Sequence, residues 1–164
     1  MSISLTPIPI TARATLEAML ISYFKEIDPT KIQQVATGEQ LDYPYLDQYW
    51  TDKNRFAFFI LNKTNIVGFS LLNDHIICKS FLAQRAVAEF YIKKKYRNLG
   101  IGKRAALLLF QQFPGKWEVK QASDNPSAIQ FWRNTIQTIT RNDFIEKQLS
   151  YDGEKAVIQL FTIS

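Results

Sequence analysis

A short basic loop that contains two glycines is the strongest chemical signal in this sequence. It reads Arg97-Asn98-Leu99-Gly100-Ile101-Gly102-Lys103 and lies between a predicted strand and a predicted helix. Glycine lets the backbone approach a ligand closely, and the free amides in the first turn of a helix attract anions. The amides from Leu99 to Lys103, with Arg97 as a supporting cation, therefore predict a cradle for a phosphate or pyrophosphate.

A second signal is the carboxylate of Glu89, in the middle of the apolar stretch Arg85–Ile92. It is the carboxylate of the chain that is hardest to explain as purely structural. Its structural interpretation is an ion pair with Arg85 or another cation, and its functional interpretation is a role in a site. Alternation along a strand predicts two faces. One would carry Arg85, Val87, Glu89 and Tyr91, and the other Ala86, Ala88, Phe90 and Ile92.

The elements that position these residues follow from hydrophobic periodicity. A strand is predicted at 85–92, and a helix begins at Ile101 and is stopped by Phe113-Pro114-Gly115. Further strands are predicted at 2–8, 55–61, 65–72, 117–121, 144–149 and 156–163, and helices at 11–27 and 126–136, with short helices within 31–49. The order β-α-(α)-β-β-β-α-β-α-β-β predicts an α/β fold with a mixed, mostly antiparallel central sheet flanked by helices. The stretch 73–82 has no clear pattern.

Three kinds of glycine-rich loop compete for Gly100 and Gly102. A P-loop requires Ser or Thr after Gly-Lys, and here Arg104 follows Lys103. A dinucleotide fingerprint matches the spelling G-x-G-x-x-A, but its first glycine should follow the strand at once, and 93–99 intervene. The segment Arg97-Asn98-Leu99-Gly100-Ile101-Gly102 is similar to the R/Q-x-x-G-x-G/A signature of the GNAT superfamily of acyl-CoA N-acyltransferases, whose loop holds the pyrophosphate of coenzyme A.

A second motif of the same family follows at the expected distance. Asn125-Pro126-Ser127-Ala128-Ile129-Gln130-Phe131-Trp132 resembles the N-x-x-A-x-x-x-Y segment after the fifth strand. The resemblance implies that Asn125, Ala128, Phe131 and Trp132 line the thioester end of acetyl-CoA. Trp132 departs from the family pattern, which frequently has tyrosine there. Together the two motifs imply the GNAT fold over a single domain, 1–164.

The resemblance also implies a chemistry, the transfer of an acyl group from a thioester to an amine. Glu89 is then expected to act as general base through a water, and the amides around Tyr91 and Ile92 to polarise the acyl carbonyl. Trp132 cannot donate a proton to the leaving thiolate, so either Tyr91 does so or the thiolate leaves unprotonated. A β-bulge near 90–92, usual in the family, would change which residues share a face beyond it.

Composition excludes several other classes. Of 164 residues 46% are hydrophobic, and the formal charge is +5 without a nucleic-acid-binding motif. The lone His75 and Cys78 predict neither a metal site nor a catalytic thiol. No apolar run is long enough to span a membrane, and Met1–Ile10 has no signal-peptide pattern, so we expect a cytoplasmic protein.

The candidate site for the acceptor lies in the first half of the chain. Acidic and aromatic residues cluster between 39 and 50, and Asp42, Tyr43, Tyr45 and Asp47 are the predicted wall of a site for a cationic amine. The alternative is an exposed helix that packs its aromatic residues inward. The resulting hypothesis is an N-acetyltransferase that uses acetyl-CoA and a primary amine of a small molecule or peptide, with a homodimer left open. A non-catalytic acyl-CoA-binding domain and a dinucleotide-dependent oxidoreductase are the two rivals.

Overall fold

Nine strands and four α-helices make up the computed structural model, which describes residues Met1–Ser164. The strands are β1 (Ile3–Pro7), β2 (Ile32–Val35), β3 (Gly38–Leu41), β4 (Phe56–Asn62), β5 (Asn65–Asn73), β6 (Arg85–Ile92), β7 (Gly115–Ala122), β8 (Phe144–Tyr151) and β9 (Glu154–Ile163). The helices are α1 (Arg13–Ile27), α2 (Gln48–Thr51), α3 (Ile101–Gln112) and α4 (Pro126–Thr140).

Seven of the strands form one mixed sheet in the order β1-β4-β5-β6-β7-β9-β8. All neighbours are antiparallel except β6 and β7, which are parallel because α3 carries the chain back across the sheet. The parallel pairing is short and joins only 85–87 to 117–119. The predicted mixed, mostly antiparallel sheet flanked by helices is therefore confirmed.

Helices cover the two faces of this sheet with separate apolar clusters. The α1 face buries Leu16, Leu20 and Phe24 of α1 against Phe69 and Leu71 of β5. The opposite face buries α3 and α4 around a group that includes Leu109, Phe110, Trp117, Trp132 and Ile136. Glu89 lies in the middle strand of this sandwich, so the face that its side chain takes decides which helices can form its surroundings.

A β-bulge decides that face. Leu71 pairs with Glu89 and Leu72 with Val87, so Ala88 is the extra residue. Val87 packs in the α3–α4 cluster, whereas Ala88 and Tyr91 pack in the α1 cluster. The prediction that Arg85, Val87, Glu89 and Tyr91 share one face is therefore wrong, because the bulge sits at Ala88 and not within 90–92.

The segment after α1 also differs from the prediction. It forms the hairpin β2–β3, in which Ile32 pairs with Leu41, in place of a short helix. Gly38 makes the turn at φ 123°, a conformation that helices do not use, and both Ile32 and Leu41 pack against the α1 cluster. The second short helix, expected around 45–49, is α2 at Gln48–Thr51.

The unassigned stretch 73–82 begins with the last residue of β5 and continues as a loop, with one 3-10 turn at Lys79–Phe81, that is hydrogen-bonded to β7. The carboxylate of Glu118, buried in β7, accepts hydrogen bonds from the amides of Ile77 (2.9 Å) and Cys78 (2.8 Å). Helix α4 continues past its expected end to Thr140, because Ile139 extends the apolar stripe that packs on the sheet. None of the helices is long and apolar enough to cross a membrane.

Candidate functional site

The site begins where β6 and β7 stop pairing, beyond Val87 and Val119. Lys93 donates its amide to Val67 of β5 at 2.8 Å, and the donors of an antiparallel pair alternate. The amide of Tyr91 therefore points toward β5, whereas that of Ile92 points into the gap that β7 leaves. Of the two amides predicted to polarise a carbonyl, Ile92 is the one oriented for it.

The loop between β6 and α3 forms a backbone cradle at one end of this gap. Asn98 and Gly100 have positive φ values of 62° and 81°, and Arg104 makes the first helical bond, to Gly100 at 3.2 Å. The amides of Ile101, Gly102 and Lys103 thus have no acceptor within the helix. Three such amides at a helix N-terminus favour an anion, and the predicted cradle stays a prediction.

Gly102 is where this cradle is packed most closely. A Cβ at that position would lie 3.2 Å from the ring of Phe131 and 3.5 Å from the side chain of Ile92. Helix α3 therefore approaches α4 and the end of β6 at a distance that only glycine permits without displacement. A Cβ at Gly100, by contrast, would point into open space.

Arg97 is engaged by the protein itself. Its Nε donates to the carbonyl of Ile92 and its Nη2 to the carboxylate of Glu26, both at 2.8 Å, while the guanidinium lies 5.6 Å from the ring centre of Tyr91. Arg97 thus ties the loop to α1 and to the end of β6. The exposed side chains of Asn98, Leu99 and Lys103 leave the loop's outer surface open.

The second motif places its four predicted residues at different depths. The Oδ1 of Asn125 accepts from the amide of Ala128 at 3.2 Å and caps α4, which leaves its amide nitrogen available. Phe131 packs between Gly102 and Phe90, with ring centres of the two phenylalanines 5.8 Å apart. Trp132 is only 6% exposed and packs edge-on against Phe90 at 5.0 Å, so its indole belongs to the core.

Glu89 lies on the α1 face among protein groups; the residue as a whole is partly exposed, but its carboxyl group is buried. Burial raises its pKa from 4.5 to about 7, and the nearby hydroxyl of Tyr23 offsets part of that rise. Arg85 is on the other face, 4.5 Å from the ring centre of Phe113. The predicted ion pair between Arg85 and Glu89 therefore does not form, and Glu89 has no salt-bridge partner.

Three tyrosines surround Glu89, and the sequence did not single them out as a group around it. Burial raises the pKa values of Tyr23, Tyr43 and Tyr49, and Glu89 raises each of them further. The hydroxyl oxygens of Tyr43 and Tyr49 lie 3.4 Å apart. The available signal was Tyr23, a polar-tipped residue in the apolar stripe of α1. Tyr91 packs its ring on Tyr23 at 5.6 Å, and its raised pKa comes from burial and then from Glu26.

The acidic residues of the predicted acceptor wall are dispersed. Asp47 is paired with Arg13 at 2.8 Å, and Asp42 is exposed. Tyr45 is 58% exposed and faces Arg55, so only Tyr43 of the predicted wall contributes to the surroundings of Glu89. His75 lies 2.8 Å from the hydroxyl of Tyr151, and Cys78 is close to Ser80.

The chain matches known proteins by family and by fold. The sequence model of the acetyltransferase (GNAT) family matches residues 19–135. No curated protein matches the chain in sequence.

Solved structures extend the match over the whole length. An acetyltransferase from Thermus thermophilus is 16% identical with a TM-score of 0.68, over 99% of this chain and 98% of that one. The ribosomal L7/L12 alpha-N-protein acetyltransferase RimL, in complex with coenzyme A, is 13% identical with a TM-score of 0.66, over 99% and 95%. A spermidine N-acetyltransferase chimera, SpeG from Vibrio cholerae and hSSAT, is 12% identical with a TM-score of 0.63, over 99% and 96%. At these identities the likeness shows the fold.

Proposed function

This chain belongs to the acetyltransferase (GNAT) family, and on that premise we propose that it moves an acetyl group from acetyl-CoA to a primary amine of a small molecule or peptide. One observation carries the proposal. The gap between β6 and β7 opens between a cradle of free backbone amides and a buried carboxyl group, Glu89, whose pKa is raised to about 7. An anion-binding end and a proton acceptor thus flank one opening.

The residues present fit acetyl-CoA. The amides of Leu99 to Lys103 would hold the pyrophosphate, because α3 begins there with unbonded N–H groups and a Cβ at Gly102 would lie only 3.2 Å from the ring of Phe131. Asn125 and Phe131 at the start of α4 would line the thioester end. Arg97 supports this arrangement indirectly, since it holds the loop against Ile92 and Glu26.

Glu89 would accept the proton that the amine must lose. An alkyl ammonium has a pKa near ~10, and a general base works best when its own pKa lies near the working pH. Burial places the pKa of Glu89 at about 7, and we expect a water to carry the proton from the amine to its carboxylate. Acetyl-CoA, when bound, supplies the acetyl group as an activated thioester.

The amide of Ile92 would stabilise the negative charge that develops on the acyl oxygen. A general acid is harder to assign, because Trp132 occupies the family's tyrosine position and is buried in the core. A thiol has a pKa near ~8.5, so its anion is a tolerable leaving group without an acid. Tyr23 is the phenol nearest to Glu89, whereas Tyr91 faces Glu26 and Arg97.

The test measures turnover of acetyl-CoA with a panel of primary amines, and the release of free coenzyme A thiol reports the reaction. Glu89→Gln serves as the matched inactive control, because it keeps the shape of the side chain and removes the base. Thiol release that requires both the amine and Glu89 supports the proposal. Amine-dependent thiol release that is unchanged in Glu89→Gln would remove Glu89 from the mechanism.

The burial of Trp132 favours a second candidate, an acyl-CoA-binding domain without turnover. Thermal-shift measurements with coenzyme A and NAD separate these possibilities from a dinucleotide enzyme. Stabilisation by coenzyme A alone, with no thiol release from any amine, is the outcome that would favour the non-catalytic domain.

A further inference from the structure

Arg55 stands just before β4, on the α1 face of the sheet, between two tyrosine rings. Its guanidinium carbon lies 5.7 Å from the ring centre of Tyr45 and 5.5 Å from that of Tyr49. Two aromatic faces hold the planar group in place, so little side-chain entropy remains to be lost when it binds a ligand.

Within the protein this guanidinium pairs with the carboxylate of Asp52 and approaches the hydroxyl of Tyr49, where it offsets part of the rise that burial causes in the pKa of that tyrosine. Its buried Nε makes no hydrogen bond, because the carboxylate of Asp52, its ion-pair partner, lies 3.7 Å away. The other oxygen of Asp52 accepts from the amide of Asn54 at 2.8 Å. The terminal nitrogens of Arg55 reach solvent, although the side chain as a whole is only 15% exposed.

Three other arginines in this fold have guanidinium groups that donate hydrogen bonds to carboxylates. Arg13, Arg97 and Arg133 each donate to a carboxylate, at 2.8, 2.8 and 2.6 Å respectively. Arg55 is held between two tyrosine rings and pairs with Asp52 only at 3.7 Å, so its terminal nitrogens remain open to a ligand. The buried Nε lies out of reach of an external ligand, so a ligand would bind at the solvent-facing terminal nitrogens.

Arg55 and Glu89 are joined by a polar strip on an otherwise apolar face. Ala57, Leu71 and Glu89 lie side by side on β4, β5 and β6, and Arg55 is on the same face of β4 as Ala57. Strand spacing and rise place the Cα atoms of Arg55 and Glu89 about 12 Å apart. The paired hydroxyls of Tyr43 and Tyr49 lie in this strip, since Tyr49 packs on Arg55 and Tyr43 interacts with Glu89.

We propose that Arg55 binds an oxyanion of the acceptor, a carboxylate or a phosphate, several bonds away from the amine that reacts beside Glu89. This inference rests on the proposed acetyl transfer and names its substrate class. A guanidinium binds such groups through two parallel N–H bonds, and it repels a second cationic group at the same place. Polyamines are thus disfavoured, and amines that carry a remote negative charge are favoured.

Matched acceptors test the inference. 6-Aminohexanoate is compared with hexylamine, and glucosamine 6-phosphate with glucosamine, so that each pair differs in the anion. We expect the wild-type protein to favour the anionic member of at least one pair by roughly 10- to 100-fold in kcat/KM, the scale of charge-assisted hydrogen bonds. The preferred pair identifies the oxyanion, and ω-amino acids from four to eight carbons measure its distance from the amine.

The variants are Arg55→Met, Arg55→Lys and the control Arg85→Met. Arg85 is also surrounded by aromatic rings, at Phe56, Phe113 and Trp117, but on the opposite face of the sheet. Arg55→Met should erase the preference through KM and leave hexylamine unchanged, and Arg55→Lys should restore part of it. Arg85→Met should keep the preference.

Two results would overturn the inference. One is a wild-type protein that shows no preference for either anionic acceptor, and the other is an Arg55→Met variant that slows both members of a pair equally. Calorimetric titration of 6-aminohexanoate and glucosamine 6-phosphate into the protein with coenzyme A separates binding from turnover. Binding that depends on Arg55 without acetylation of any amine sustains the inference and contradicts the proposed function, and equal binding by wild type and Arg55→Met contradicts the inference.

Discussion

The cradle at the start of α3 and the surroundings of Glu89 are built from different parts of the chain. The cradle presents backbone amides, and their direction is set by the helix and by the positive φ of Asn98 and Gly100. The surroundings of Glu89 are side chains from α1, from the segment before α2 and from α2 itself, with Tyr23, Tyr43 and Tyr49 as polar members.

This difference separates two kinds of constraint. In the cradle a side-chain change matters when it fills space or adds negative charge, because the proposed ligand contacts come from the main chain. Around Glu89 each side chain supplies its own donor, charge or shape. A family with this fold can therefore change its acceptor by substitutions in the first half of the chain while the cradle stays the same.

The largest effect is expected at Glu89. Glu89→Gln should lower kcat by roughly 10²–10⁴-fold, the usual scale for the loss of a general base, and leave the affinity for acetyl-CoA unchanged. Steady-state kinetics across pH 5 to 9 provides the measurement. In the wild type, activity should rise with pH through about 7, because the base works only when it has lost its proton.

Gly102→Asp should produce the next largest effect, in the cradle. The new side chain would meet Phe131 and place a negative charge beside the free amides, so acetyl-CoA affinity should fall by roughly 100-fold or more, the equivalent of two charge-assisted hydrogen bonds. Titration of the folded variant measures it. Lys103→Ala is the control, because it removes an exposed charge and keeps the amide, and it should cost less than about fivefold. If the folded Gly102→Asp protein binds acetyl-CoA as tightly as the wild type, the assignment of the cradle as the pyrophosphate site is wrong.

The sequence was sufficient for the parts that depend on the backbone. Strand, loop and helix around Gly100 and Gly102 could be predicted, because glycine spacing and apolar periodicity report on the main chain directly. The face of Glu89 could not, since it depends on a bulge at Ala88 that nothing in the local pattern marks. The group of Tyr23, Tyr43 and Tyr49 was missed for a related reason, because its members come together only through packing between distant segments.

The carboxylate of Glu89, although needed for the proposed reaction, should lower the free energy of unfolding at high pH. Its pKa is higher in the fold than the ordinary value of 4.5, so between pH 4.5 and about 7 the folded chain keeps a proton that the unfolded chain has lost. The wild type therefore loses stability as pH rises through that window. Glu89→Gln, which carries no charge, should be more stable than wild type by about 1–3 kcal/mol at pH 8 and equal to it at pH 4. Urea unfolding at both pH values tests this, and equal stabilities at pH 8 would contradict the raised pKa.

Tyr23→Phe should have a moderate effect on rate. The hydroxyl lowers the pKa of Glu89, so its removal should move the rise in activity to higher pH and reduce kcat by roughly 3- to 10-fold, the value of one hydrogen bond. Tyr91→Phe is the comparison, because its hydroxyl faces Glu26 and Arg97, and it should change the pH profile less. A larger shift of the profile in Tyr91→Phe than in Tyr23→Phe would reverse this assignment.

The smallest effect is expected at Asp47, which the sequence placed in an acidic wall for a cationic amine. Its carboxylate is 76% exposed and already paired with Arg13, and exposed pairs of this kind contribute about 0–1 kcal/mol. Asp47→Asn should therefore change the KM for hexylamine by less than about threefold and the unfolding free energy by less than about 1 kcal/mol. Asp42→Asn, at an exposed carboxylate near the same segment, is the matched control and should behave alike. A different result would contradict this prediction: either variant raises the KM of hexylamine tenfold and leaves that of 6-aminohexanoate unchanged. The acidic wall would then bind the cationic acceptor, and the proposed binding of an oxyanion by Arg55 would be wrong.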